Sequence, residues 1–199
     1  MKFIVLMLLS ALSFNSSAGN LIAADGEKEL VYMFSYLSPA SHAMVNSTNA
    51  WEFMVKNRGV HDDTSIYRVP FIEARGHSTE YAAKAYFILR QLMSNRVVDH
   101  FSVEPKLYTL FKTTVVNDDV LSDFFINSVD GLSTAEVERM SKAAQIYISH
   151  AIELQSRFRC PTLPCSRVSA DDKVIVITLD ANDEDPLTGF WERVSLILI

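Results

Sequence analysis

The order of secondary-structure signals predicts an α/β fold in which a small sheet core is interrupted by an all-helical insertion. Three observations predict it. Residues 30–73 read as strand, helix, strand; residues from about 78 to 157 carry no competing strand pattern; and residues 162–199 return to two strands and a helix. A chain of 199 residues that is 49% apolar and 21% charged has the material for one such core and is a poor fit to disorder, coiled coil or a collagen-like repeat. The net charge of −6, with no run of Lys and Arg, disfavours a nucleic-acid backbone as partner. Its two cysteines allow one bridge, a partial ligand set or free thiols.

The first element is not part of the fold. Lys2 followed by the apolar run FIVLMLLSALSF has the pattern of a signal peptide, with small residues Ser16, Ser17 and Ala18 before a cleavage point and Ala23–Ala24 as a later alternative. The run is too short for a comfortable membrane span, so a signal peptide over residues 1–18 and no stable span after its removal are expected. Cleavage there removes only Lys2 from the charge count and leaves the chain more acidic. The implied compartment is oxidising and exported, most naturally a periplasm.

The core opens at residues 30–37, LVYMFSYL, where aromatic and β-branched residues predict a strand that Ser38-Pro39 stops. Pro39 suits the first turn of a helix over residues 40–56, since the N–H it lacks has no partner there. Asn57-Arg58-Gly59 ends that helix, and TSIYRVPFIE at 64–73 supplies a second strand. The crossover between them is long enough to set the two strands parallel.

The insertion follows from helical spacing. Tyr81, Ala85, Ile88 and Leu92 share a face, LYTLF at 107–111 follows Pro105, and Val120, Leu121, Phe124, Phe125 and Ile126 form a further cluster. Ser133 and Glu136 form a capping box, after which Val137, Met140, Ala144, Tyr147, Ala151 and Leu154 make one stripe; packing between helices accounts for it without a ligand. Residues 162–168 then predict a short irregular strand, SADD a turn, and KVIVITL at 173–179 the strongest strand of the chain, the two pairing as a hairpin. A polar break leads to LTGFWERVSLILI, a terminal helix.

Specific segments carry a family resemblance across residues 30–199. FSYLSPASH at 34–42 resembles the active-site approach of the DsbA family of periplasmic thiol:disulfide oxidoreductases, a Phe-rich strand followed by Cys-Pro-x-Cys and a helix. DVLSDFFINSVDGLSTAEV at 119–137 resembles the family's DVFIN-containing helical segment, and RCPTL at 159–163 the segment that bears its cis-proline. The resemblance implies a thioredoxin-like fold with an inserted helical domain, divided as residues 27–74 and 158–199 for the core and 75–157 for the insertion.

The departures from the family bear on the chemistry. Its two cysteine positions fall on Ser38 and Ser41, and Tyr32 stands where familiar members carry a buried acid. Dithiol exchange needs an attacking thiolate and a second sulfur, and neither hydroxyl supplies one. Ser38 reads as a helix cap or as a hydroxyl that binds a substrate. The resemblance implies that Cys160 precedes a cis Pro161 and lies near Ser38, where the thiol would accept a mixed disulfide or pack as a small hydrophobe. A Cys160–Cys165 bridge is the third reading; five extended residues span roughly 16 Å, beyond bridging distance unless Pro161 and Pro164 bend the chain. The Cys-x4-Cys spacing lacks the histidines of a zinc site, and the dispersed histidines make no hydrolytic triad, so neither a metal nor a resident cofactor is expected.

The best local site is therefore Ser38, Ser41, His42, Cys160, Pro161 and Thr162, with Ser38, Ser41 and Cys160 as catalytic candidates and His42 either a contact residue or a solvated one. Two function classes remain. One is a DsbA-like exported protein without ordinary dithiol activity that binds peptides or proteins along an exposed backbone edge. The other is an enzyme: LSPASH at 37–42 is similar to the serine-bearing entrance of kappa-class glutathione transferases and hydroxychromene-carboxylate isomerases, with glutathione as cofactor, although an export signal argues against that supply. A single-thiol oxidoreductase using Cys160 is a further enzymatic alternative.

Overall fold

The computed structural model describes residues 28–46, 64–94, 98, 100–158, 160–170, 173–180 and 182–198. The expected signal segment, the later part of the helix expected over 40–56 and the Asp171-Asp172 turn lie outside the described residues.

Strand β1, Lys28–Phe34, starts two residues earlier and stops three earlier than the apolar run suggests. Its end is set by a tight turn in which the Ser38 N–H donates to the Ser35 carbonyl at 3.0 Å, while the Leu37 N–H reaches the Ser35 hydroxyl at 3.2 Å. Side-chain capture of backbone groups by serine is what takes these apolar residues out of the strand. Helix α1, Pro39–Asn46, follows with Pro39 as its first residue. Strand β2, Thr64–Pro70, lies parallel to β1, with Pro70 opposite Phe34 as the last pair.

Four helices follow: α2 at Ser78–Ser94, α3 at His100–Thr113, α4 at Asp118–Ser128 and α5 at Thr134–Arg157. Helix α3 runs through Pro105, so LYTLF is the second half of a longer helix and not a separate segment after the proline. Pro105 is the sixth residue of the helix, so its missing N–H forgoes one regular i→i−4 bond, to the carbonyl of residue 101, near the helix start. Asn117 caps α4 by accepting the Val120 N–H at 2.9 Å. The Ser133–Glu136 capping box forms at the start of α5. Along α5 the buried stripe is Val137, Met140, Ala144, Ile148 and Ala151; Tyr147, expected on it, is only partly buried and stacks on Phe87 at 5.4 Å.

Strands β3, Cys165–Ala170, and β4, Lys173–Thr178, form the expected antiparallel hairpin, and α6, Pro186–Leu198, closes the order. The strand expected over 162–168 begins only at Cys165, because residues 161–164 bend. The sheet order is β2-β1-β3-β4, with β3 antiparallel to both neighbours. One face, with Leu30, Tyr32, Phe34 and Val168, packs under Phe190, Trp191 and Val194 of α6 and is continuous with Ile88, Leu107 and Phe125 of the helical part. The other face, with Val31, Met33 and Cys165, packs on Ala83 of α2 and on Ile148 and Ala151 of α5. β1 is thus covered on both sides, and its C-terminal end delivers the chain to the start of α1.

Candidate functional site

The start of α1 is built from three serines. The Ser38 hydroxyl accepts the Ser41 N–H at 3.2 Å, the geometry of an N-cap, and the His42 N–H closes the first helical bond to the Ser38 carbonyl at 3.0 Å. The Ser41 hydroxyl is fully buried and turns back to accept the Ser35 N–H at 3.2 Å. Ser38 also faces the approach to β3, its hydroxyl lying 3.5 Å from the Leu163 carbonyl. Both serines sit where the resemblance puts sulfur, and each is engaged in backbone satisfaction.

The partner opposite Ser38 is a correction. The cis peptide bond among the described residues is Leu163–Pro164, not Cys160–Pro161, so the residue preceding the cis-proline is Leu163, three positions after Cys160. Cys160 is turned toward the α2/α5 face of the sheet, where its sulfur contacts Met33 Sδ at 3.4 Å and is bonded to Cys165. The bends at 161–164 bring the two Cα atoms to 6.1 Å, which removes the obstacle that an extended chain would pose. Both cysteines are consumed in this bridge, so Cys160 offers no thiol. Pro161 and Thr162 are exposed. Pro161 lines, with Phe71, Phe158, Cys160 and Val176, an open groove of about 730 Å³ on the same face.

His42 does not stand alone on the helix: its ring stacks on Tyr108 of α3 with centroids 4.7 Å apart, and the Tyr108 hydroxyl donates to the Ser41 carbonyl at 3.2 Å. The helical part therefore grips the first turn of α1 directly. Tyr36, in the turn before α1, donates to Glu104 Oε1 at 3.0 Å. Glu104, buried on α3, holds Arg68 of β2 through both its oxygens, at 2.5 and 3.0 Å. The Arg68 guanidinium lies 4.1 Å from the Phe34 ring centroid. Burial works against the charge on Arg68, but Glu104 outweighs it and holds the guanidinium protonated well above its usual range. Burial, reinforced by the Glu104 charge, keeps the Tyr36 phenol neutral and a donor.

Tyr32 lies deeper, against Trp191 at 5.5 Å, with its hydroxyl 3.8 Å from Met44 Sδ. Burial raises its phenol well above the ordinary range, so a neutral hydroxyl stands where the family resemblance would place an acid. The structure thus joins Ser38, Ser41 and His42 at one helix tip and assigns Cys160 to the neighbouring groove. Arg68, Glu104, Tyr36 and Tyr108 escaped the sequence reading. One signal was present: Glu104 shares a helical face with Leu107, Tyr108 and Phe111, and a lone acid on an apolar stripe requires a buried partner.

No family model and no curated protein sequence matches the chain. Solved structures do. The chain superposes on DsbA from Pseudomonas aeruginosa with a TM-score of 0.64 at 15% identity, covering 89% of this chain and 83% of that one. DsbA from Klebsiella pneumoniae gives 0.63 at 14%, covering 90% of each chain, and DsbA from Proteus mirabilis 0.62 at 15%, covering 90% and 91%. The chain therefore has the fold of the DsbA proteins, a thioredoxin-like sheet with a helical insertion.

Proposed function

We propose that this chain is a DsbA-like exported, periplasmic protein that has no dithiol exchange at α1 and acts by binding an extended peptide or protein segment across the α1 tip and the Leu163–Pro164 backbone. One observation carries the reading. The two hydroxyls at the tip of α1 are committed to backbone N–H groups, Ser38 as the cap and Ser41 as a buried brace, and the remaining sulfur is bonded within the chain. A fold with the tip, the facing backbone and an apolar groove beside them, and with no sulfur at that tip to form or resolve a mixed disulfide, is suited to holding a chain there. The exposed Leu37 and the groove beside Pro161 supply the apolar contacts. Single-thiol chemistry at Cys160 would need the bridge opened first.

The test is paired. The parent protein is expected to give no turnover in insulin reduction or dithiol oxidation, whereas Ser38→Cys combined with Ser41→Cys places Cys-Pro-Ala-Cys at the helix start and is expected to give turnover. Calorimetric titration with cysteine-free extended peptides is expected to show saturable binding that Leu37→Asp weakens. Turnover by the parent, or saturable glutathione binding with transferase activity, would overturn the reading.

A further inference from the structure

The segment that faces the tip of α1 is firmly held at both ends and by little between them. Before it, the end of α5 is tied to the chain after β2. The Gln155 side chain donates to the Pro70 carbonyl at 2.8 Å and accepts the Ile72 N–H at 3.1 Å. The Phe158 ring, just past the helix, lies 4.1 Å from the Arg167 guanidinium of β3. After it, Cys165 enters the sheet fully buried, opposite Met33 of β1 and Thr178 of β4. Residues 161–164 between these anchors include Pro161 and Pro164, which have no N–H to donate. Among the described residues the hydrogen bond to this bend is that of the Ser38 hydroxyl to the Leu163 carbonyl, at 3.5 Å. The Cys160–Cys165 bond closes the bend covalently where hydrogen bonds do not.

The two sulfurs of the bridge are unequally placed. Cys165 is buried in the cluster of Val31, Met33, Ile148 and Ala151, whereas Cys160 is partly exposed and lines the open groove beside Phe71 and Phe158. A thiolate that enters by the groove meets Cys160 first. Its attack forms a bond to Cys160 Sγ and breaks the bond to Cys165 Sγ, which leaves with the electron pair and takes up a proton. The second thiol of a dithiol reagent then attacks the incoming sulfur, closes the reagent's own disulfide and leaves Cys160 as a thiol. The reagent is oxidised by two electrons and the bridge is reduced by the same two.

We infer that the bridge is a reducible clasp on the peptide-facing bend: a dithiol attacks Cys160 from the groove, residues 161–164 loosen, and the chain releases its bound segment. This regulation rests on the proposed binding role, because the clasp acts on the Leu163–Pro164 backbone opposite Ser38. Closed, the bridge holds that backbone in place before a partner arrives, which lowers the ordering cost of binding. Opened, it leaves the Gln155 contacts and the β3 ladder intact, so the change is confined to the bend. The coupling is reciprocal. A segment bound across the bend favours the closed bridge by the same factor by which closure favours the segment.

The test uses the full chain, dithiothreitol as the dithiol and a cysteine-free extended peptide as the segment. Dithiothreitol is expected to open the bridge under native conditions with far-ultraviolet dichroism unchanged. A monothiol trap, glutathione, is expected to be found by fragmentation mass spectrometry on Cys160. Calorimetric affinity for the peptide is expected to fall about tenfold or more both on reduction and in Cys160→Ser, which removes the bridge and leaves Cys165 in its buried place. Amide exchange at Thr162 and Leu163 is expected to quicken in the open forms, and that of β1 to stay the same. Equal affinity in the bridged and open forms overturns the clasp and leaves the binding role standing. A bridged parent that binds no peptide overturns the binding role, and the regulation with it. An adduct on Cys165, unchanged exchange at the bend, or loss of dichroism on opening also overturns the clasp; the last would make the bridge a staple of the whole fold.

Discussion

β1 and β4 are nearly the same kind of strand and have opposite surroundings. Each opens with lysine and, apart from Glu29 in β1, is mostly apolar and β-branched, and the two run in the same direction with β3 between them. β1 is buried on both faces by α6 on one side and by α2 and α5 on the other. β4 carries similar residues into solvent. An apolar run thus identifies a strand through its propensity for pleated backbone, while burial depends on which helices later elements bring over it. The difference also separates two jobs: β1 is a rigid rail that aims the chain at α1, and β4 is a surface.

The contrast can be broken by truncation. Phe34→Ala removes a ring packed at 5.4 Å from Tyr36 and 5.1 Å from Tyr86, beneath the Arg68 guanidinium. It is expected to cost about 4 kcal/mol in urea unfolding, against less than about 0.5 kcal/mol for the exposed Val174→Ala. Equal losses would show that β4 is covered in solution. The next effect tests what holds the rail to the helical part. Glu104→Gln leaves the Arg68 charge buried without its counterion and is expected to cost about 3 kcal/mol. A loss below about 1 kcal/mol would mean that water or another group compensates Arg68.

The smallest effect sharpens the same distinction at a solvent-facing site. Hydrogen bonds from Ser133 lower the Glu136 carboxyl below its ordinary value. A carboxyl with a depressed folded value stabilises the fold above its unfolded pKa and loses that contribution as pH falls through the folded one. The difference in melting temperature between the parent and Ser133→Ala should therefore shrink on acidification below the usual glutamate range. A difference independent of pH would assign the cap to the serine hydroxyl alone.

Much of the architecture was legible because it rests on local periodicity: the strand–helix–strand start, the Ser133 capping box and the β3–β4 hairpin all lie in contiguous residues. The ends of elements were less so. β1 stops at Phe34 because Ser35 captures backbone N–H groups, a competition that apolarity does not register. The helix tip was legible as Ser38 and Ser41, but its facing residue was not. Two X-Pro pairs lie within 160–164, and only the bend of the chain distinguishes Leu163–Pro164 from Cys160–Pro161. The same bend turned a bridge that looked too long into one with neighbouring Cα atoms. The Arg68–Glu104 pair joins residues 36 apart in sequence, beyond the reach of any periodic signal.

The closed bridge between Cys160 and Cys165 limits what this chain's own sulfur can do beside α1. With both cysteines of the chain bonded to each other, neither is a nucleophile, and a covalent complex forms only with a partner whose own thiolate opens the bridge. Under the proposed binding role, a segment without cysteine is held by non-covalent contacts alone, and while the bridge stays closed its release follows dilution rather than electron transfer.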